Sequence, residues 1–364
     1  MKQTVLHDIH QKLNAKFGEF QGWRMPAQYT EIADEHRAVR SAAGLFDLCH
    51  LGRIEIVGTG AQALLQKTFT RTMEKISVGA ALYGLLCNDQ GGILDDALLF
   101  CLAEQGGNGR YLLVTNAQST DKILAWMTTQ ATGSSVEVAD RTASLAQISL
   151  QGPRSEDILG KAVGPQYKKI KPRHFRLFKL ADAEVMVSRT GYTGEQGYEL
   201  FVPTEQAPVL WNTLMDAGKN DGLAPCGMPA RDLLRMEMGY PLYGVDMDET
   251  RNPFEAGLGA FLDMGKEFIG KDALSAIKER GTEVKLAGFA MMDKSIPRAG
   301  GSIFSESREI GAVTSGALSP SVRKGIGLGY VVSRYAQPGQ EIEIEVKDRE
   351  IVAKIVQLPF YRKK

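Results

Sequence analysis

The chain has 364 residues, 43% of them hydrophobic and 24% charged, with 43 Lys plus Arg balanced by 43 Asp plus Glu. That length allows two or three domains, and the neutral balance leaves no global field to attract nucleic acid. Four scattered cysteines and five histidines without ligand spacing speak against a disulfide framework and a metal centre. No basic tract appears, the N-terminus lacks the apolar core of a signal peptide, and no run approaches membrane-spanning length. A cytoplasmic protein that binds neither nucleic acid nor membrane is expected.

In chain order, Leu6 to Phe17 reads as a short helix and Gly18 to Tyr29 as irregular. Glu31 to Ala42 reads as a second helix, capped by Thr30 and ended by Gly44. The apolar run Leu45 to Gly52 is followed by the alternating strand Arg53 to Val57, and residues 60–68 look helical. Gly79 to Leu86 and Ile93 to Phe100 read as strands joined by the turn Asn88-Asp89-Gln90-Gly91-Gly92. Asp95 and Asp96 are unusual inside so apolar a strand. Neighbours on a strand point to opposite faces, so at most one of the two is expected in a given pocket. Tyr111 to Thr115 is a strand ending at Asn116, and Ser119 to Thr129 a helix. Ser144 to Leu150 is a strand broken by Gln151-Gly152-Pro153.

The densest local signal is Arg189 to Leu200, where Gly191, Gly194 and Gly197 recur at every third position between two alternating strands. That spacing suits neither helix nor strand interior, and it suits a loop that turns tightly or closely approaches something. Tyr192, Glu195, Tyr198 and Glu199 lie in the same stretch. Rings and carboxylates together suit a flat polar heterocycle, since rings stack and a carboxylate accepts paired hydrogen bonds. Gln206 to Ala217 and Met228 to Met238 read as helices. The second has Pro229 in its first turn and Gly239 and Pro241 at its end, and it places Arg231 and Arg235 on one face. Gly270 to Arg280 is a further helix. From about Glu283 short alternating segments separated by glycine turns replace helical patterning, which predicts a separate all-β barrel or sandwich. Earlier elements mix freely, as in α+β domains with interleaved segments. Dinucleotide, phosphate-loop and nucleophile-elbow motifs are absent, which argues against nucleotide-driven chemistry and serine hydrolysis.

Several stretches together resemble the aminomethyltransferase (T protein) family of the glycine cleavage system, nearly end to end. They are Gly22-Trp23-Arg24-Met25-Pro26, Phe46 to Gly52, Gly91 to Asp96, Arg189 to Leu200, Ala230 to Glu237, Pro241 to Glu249, and Ser319-Pro320 with Gly325 to Val331. The resemblance implies an α+β fold of three domains in a cloverleaf around a central folate site, the last an all-β barrel or jelly roll. Residues 1–50 with 140–240 would form the folate-binding domain, 51–139 with 241–281 the second, and 282–364 the barrel. It implies tetrahydrofolate as co-substrate and the lipoylated H protein as partner. The aminomethyl carbon would pass to the folate with release of ammonia.

Onto residues, the resemblance carries Glu199 as the carboxylate that takes the pterin edge, with Tyr192 beside it and Arg231 as a folate-contacting arginine. Tyr83 and Asn116 line the pocket and Tyr361 closes it. Asp96 is the implied catalytic residue, because the transferred carbon and the attacking amine both gain positive charge that a fixed carboxylate stabilises. Asp95 is the competing assignment. The sequence departs from the usual pattern at Cys49, Leu51, Phe100 and Gln196. These departures leave the one-carbon donor less fixed than the folate. A folate-dependent demethylase of a small methyl donor and a non-catalytic folate-binding protein are the alternatives on this scaffold.

Overall fold

The structure, a computed structural model, describes residues 1–74, 76–105, 108–180 and 183–363. The chain divides into two compact units, Met1–Leu86 with Asp95–Arg231, and Cys87–Leu94 with Asp232–Lys364. The fold is α+β.

The first unit is built on two larger sheets and a small three-stranded one. One large sheet runs in the order Phe175–Leu180, Ala183–Ser188, Gly197–Pro203, Leu145–Gln151, Ala43–Asp47 and Leu223–Pro225. Its first five strands pair antiparallel, and Leu223–Pro225 adds on in parallel. The other runs in the order Ala81–Cys87, Ile93–Gln105, Asn108–Thr115, Gly52–Gly58 and Val136–Asp140. Strand Gly197–Pro203 is buried on both faces, and its alternation decides what each face meets. Tyr198, Leu200 and Val202 join a core with Leu45, Ile148 and the fully buried Trp211 of helix Ala207–Gly218. Phe201, two residues from Glu199 and so on the same face, packs with Phe100, Leu112 and Val114 of the other sheet. Burying a ring such as Phe201 stabilises by roughly 1.5–3 kcal/mol. Glu199 therefore points into the layer where the two sheets meet.

In the second unit, six strands close a barrel in the order Val284–Met291, Lys324–Val332, Arg308–Ser319, Ser302–Ser305, Glu341–Glu345 and Glu350–Val356, with every pairing antiparallel. Phe289, Met291, Ile303, Ile342, Ile344 and Ile355 fill it. The expected all-β C-terminal domain is thus a closed barrel. Helix Met228–Met238 spans the residues predicted for it. Its Glu237 is fully buried, accepting from Ser319 Oγ at 2.5 Å and from the Ser321 N–H and hydroxyl.

The N-terminal reading needs correction. The helix is only His7–Lys12, and the segment expected to be irregular is the hairpin Lys16–Phe20 and Trp23–Gln28. Gln21 and Gly22 both take positive φ at its turn. Nor does Thr30 cap the next helix: Glu35 reaches back to accept from the Tyr29 and Thr30 N–H groups. Among the described residues no helix is long and apolar enough to cross a membrane.

Candidate active site

Two side chains hold the glycine-rich loop: Arg40 donates to the Thr193 carbonyl at 2.7 Å and pairs with Glu195 at 3.1 Å, and Gln151 supports it from below. Gln151, fully buried on the neighbouring strand, donates through Nε2 to the Thr190 carbonyl at 3.2 Å and to Ser149 Oγ at 3.0 Å. Its Oε1 accepts from Thr193 Oγ1 at 3.0 Å. A Cβ at Gly191 or at Gly197 would collide with that same amide, while Gly194 turns at φ +79°. Two of the three glycines thus make room for Gln151, and the third supplies a turn. Gln151 itself ends a strand rather than breaking it.

Glu199 lies opposite Ser149 on one side and Ser188 on the other, so a buried polar row crosses three strands under the loop. Thr190 Oγ1 donates to Glu199 Oε2 at 2.5 Å. A carboxylate has about four lone-pair positions, so most of this one's accepting capacity is left for a ligand. Burial pushes the Glu199 carboxyl up, while Thr190 and the Arg231 charge hold it down. Arg231 sits with its guanidinium carbon 5.0 Å from the centre of the Tyr192 ring, and its buried Nη1 has no hydrogen-bond partner among the described residues. Burial lowers its pKa, and Glu199 and Tyr192 favour its charge.

The second cluster stands on the other sheet. Asn116 Nδ2 donates to Asp95 Oδ1 and to Asp96 Oδ1, each at 2.8 Å. Both aspartates therefore reach one amide, whereas at most one of the two is expected in a given pocket from strand alternation. Asn116 follows the last residue of its own strand, and the ladder between the two strands begins only at Leu98, so the amide stands beyond the paired residues. The environments of the two carboxylates differ. Asp95 is 0% exposed and also accepts from Ser119 Oγ at 2.6 Å and the Asn116 N–H at 3.1 Å. Asp96 is half-buried and accepts from Tyr83 Oη at 3.0 Å. Burial raises both carboxyls, and the charge of Asp96 raises Asp95 further. The pair therefore titrates well above the ordinary aspartate range.

Tyr83 links the clusters. Burial, then the charge of Asp96 and the nearby Tyr192 phenol, push its hydroxyl well above the usual tyrosine value. Tyr83, Asn116, Asp96, Tyr192, Arg231 and Glu199 all belong to the first unit. Tyr361 belongs to the second unit, where its N–H donates to the Glu237 carbonyl at 3.0 Å.

Sequence reasoning gave no site role to Ser119, Thr190 and Gln151, whose contacts to Asp95, Glu199 and Thr193 span 24, 9 and 42 residues. His50, within the stretch Phe46 to Gly52, has no role in the sequence reading. His50 is buried, its Nδ1 has no partner among the described residues, and burial, opposed by Asp47 and reinforced by Arg231 and Arg53, holds it at about 3. It is thus a neutral imidazole beside Arg231. Of the departures from pattern, Phe100 lies outside the candidate site: it is fully buried, edge-on to Phe175 and Phe201. Gln196 donates through Nε2 to Glu156, a place where aspartate would meet a like charge. Cys49 is a buried thiol donating to the Gln147 carbonyl at 3.4 Å, and burial pushes it well above the usual thiol range, which suits an inert packing group. All four cysteines are free, and among the described residues no three His, Cys, Asp or Glu side chains converge on a point that would hold a metal ion.

Two family models match the chain, the GCVT N-terminal domain over residues 6–266 and the glycine cleavage T-protein C-terminal barrel domain over residues 285–362. The chain is 45% identical to an aminomethyltransferase of Halothermothrix orenii, across 99% of this chain and 100% of that one. It is 43% identical to an aminomethyltransferase of Caldanaerobacter subterraneus subsp. tengcongensis, across 100% of this chain and 96% of that one. The crystal structure of glycine cleavage system aminomethyltransferase T from Bartonella henselae superposes with a TM-score of 0.92 at 30% identity, over 99% of this chain and 98% of the other.

Proposed function

The chain belongs to the glycine cleavage T-protein family and is an aminomethyltransferase, and we propose that it moves the aminomethyl carbon from the lipoyl arm of an H protein to tetrahydrofolate with release of ammonia. One observation carries the reading: a buried acceptor, Glu199, and a half-buried acid, Asp96, stand in the same unit with Tyr83 and Tyr192 between them.

Tetrahydrofolate presents an N–H beside an amino group on its pterin edge, and the lone pairs that Thr190 leaves on Glu199 fit that pair. The orphaned Nη1 of Arg231 suits a pterin carbonyl or a glutamate carboxylate. With the edge fixed there, the reduced ring would lie against Tyr192 and Tyr83. Asp96 then acts at the reacting end. Its carboxylate, steered by Tyr83 and Asn116, stabilises positive charge as the carbon gives up its amine nitrogen as ammonia and bonds to one folate nitrogen, the second folate nitrogen then displacing the lipoyl sulfur as a thiol. Asp95, enclosed and satisfied by three donors, holds Asn116 in place rather than meeting substrate.

The test is calorimetric titration with tetrahydrofolate, followed by turnover with aminomethylated H protein. Saturable binding with formation of methylenetetrahydrofolate is expected. Binding without turnover on H protein, but with turnover on a small methyl donor, would replace the transferase reading with the demethylase one.

A further inference from the structure

Helix Ile32–Ser41 makes a polar contact near each end, and both lead to the candidate site. Near its start stands Glu35, fully buried. Its Oε1 accepts from the Tyr29 and Thr30 N–H groups at 2.5 and 3.0 Å, and its Oε2 accepts from the Gly227 N–H at 2.8 Å. Among the described residues Glu35 forms no ion pair. Near the other end Arg40 holds the Thr193 carbonyl and Glu195. Five residues of helix put these two side chains about 140° apart around the axis and roughly 7.5 Å apart along it, so they leave in different directions.

Each contact ends one step from a group of the candidate site. Arg40 grips Thr193, the neighbour of Tyr192. Glu35 grips Gly227, which opens the helix that carries Arg231: the Arg231 N–H donates to the Gly227 carbonyl at 3.3 Å. Gly227 is hemmed in on its other sides. The Cys226 N–H before it donates to the Leu45 carbonyl at 2.9 Å, and a Cβ on Gly227 would collide with the Ala27 carbonyl oxygen. Arg231 and Tyr192 in turn meet, the guanidinium carbon 5.0 Å from the ring centre. The spacing of these two groups is thus referred to one short helix, all within the first unit.

A helix start is ordinarily met by a Ser, Thr, Asp or Asn at its own cap. Here the N–H before the first turn is met by a carboxylate 192 residues away in sequence. Burying a carboxylate without a cation is unfavourable unless its oxygens are well satisfied, and the three N–H donors satisfy this one. An amide in its place would turn its own donor toward one of them. We infer that Glu35 is a positioning residue for Arg231, holding the first turn of its helix at the distance from Tyr192 that the folate fits. The inference rests on the proposed reaction, in which Arg231 meets the folate. A small displacement of a group that orients a ligand is enough to weaken what it holds.

The experiment is a double-mutant cycle on the full chain: wild type, Glu35→Gln, Arg231→Ala and the pair, titrated calorimetrically with tetrahydrofolate. Glu35→Gln should weaken binding about tenfold and raise KM for tetrahydrofolate, with kcat at saturation held within about twofold. In the Arg231→Ala background the same change should weaken binding by less than about twofold, because the group it positions is gone. Any drop in melting temperature should be equal in both backgrounds, so stability and coupling are read separately. An equal loss of affinity in both backgrounds, or none in either, overturns the inference, and Glu35 then serves the fold alone. Should Glu35→Gln not fold, Glu35→Asp, which keeps the charge and withdraws it by one methylene, runs the same cycle under the same criteria. If Arg231→Ala binds tetrahydrofolate as tightly as the wild type, the assignment of Arg231 to the folate fails first and takes this inference with it. If Arg231→Ala binds weakly and Glu35→Gln is uncoupled from it, the inference falls and the assignment of Arg231 stands.

Discussion

Replacing Glu199 by glutamine keeps the shape of the side chain and removes its charge. The carboxylate would accept two hydrogens from the pterin edge, whereas the amide offers one acceptor and turns a donor toward a donor. A hydrogen bond to a charged group contributes about 1.5–3 kcal/mol, and a buried donor left unpaired costs about 1–3 more. A loss of roughly 3 kcal/mol corresponds to about two orders of magnitude in Kd. Anaerobic calorimetry with tetrahydrofolate at pH 7.5 reads this directly. Glu199→Gln binding within threefold of wild type would refute the assignment of the pterin edge to Glu199. The same variant has a second signature. Burial raises the Glu199 carboxyl in the folded protein. The folded state therefore holds its proton more tightly than the unfolded one, whose glutamate titrates near about 4.3. Wild-type stability falls as pH rises from that value through the raised folded value, and the loss is constant above it. Free of that loss, Glu199→Gln should melt higher than wild type at pH 8, with the gain vanishing near pH 4. A variant that is more stable yet blind to folate marks a residue kept for binding.

Asp96→Asn should lower kcat by about a thousandfold while folate binding stays within a few-fold, whereas Asp95→Asn should cost less by loosening Asn116. Loss of transfer only in the Asp95 variant, with folate still bound, would reverse the two roles. Because burial raises both carboxyls, the acid limb of the kcat profile should lie above the ordinary aspartate range, with activity falling as pH drops through it. Gln151→Ala leaves a cavity beneath Gly191 and Gly197 and strands the Thr193 hydroxyl, so a loss of about 2–4 kcal/mol in denaturant unfolding and weaker folate binding are expected. Cys49→Ser should leave kcat within about threefold of wild type, because the Sγ contact to Gln147 is one a hydroxyl can make.

Much of the fold was legible because its periods are local. The alternation of the segments after Glu283 pointed to an all-β domain, and the ends of helix Met228–Met238 were marked by Pro229 and Gly239. The hairpin near residue 20 was not legible, since Lys16 and Phe17 extend the helical spacing before them and Gly18 to Tyr29 reads as irregular, while positive φ at Gln21 and Gly22 makes the turn. The loop at Arg189 announced itself by its glycines, but their reason did not show. Two of them yield to Gln151, some 40 residues earlier, and only strand pairing brings that amide beneath them. Asp95 and Asp96 were conspicuous as a pair, yet their division of labour depends on Ser119 and Asn116 and on which carboxylate stays partly open. The loop itself marked Glu199, with Tyr192, Glu195 and Tyr198, as suited to a flat polar heterocycle, while its particular role and that of Arg231 entered through family likeness.

The way the chain passes between the two units limits how the molecule can be cut. Cys87–Leu94 belongs with the C-terminal unit although it is made long before it, and there the Ile93 N–H meets the Arg251 carbonyl at 2.9 Å while Gly92 packs on the backbone of Glu249. An expression fragment beginning at Asp232 would lack that peptide and leave the Arg251 carbonyl without its donor. One ending at Arg231 would sever a helix within its first turn and carry an orphan loop. Dissection of this enzyme into working halves therefore calls for a circular permutation or a supplied peptide spanning residues 87–94, not a single stop codon.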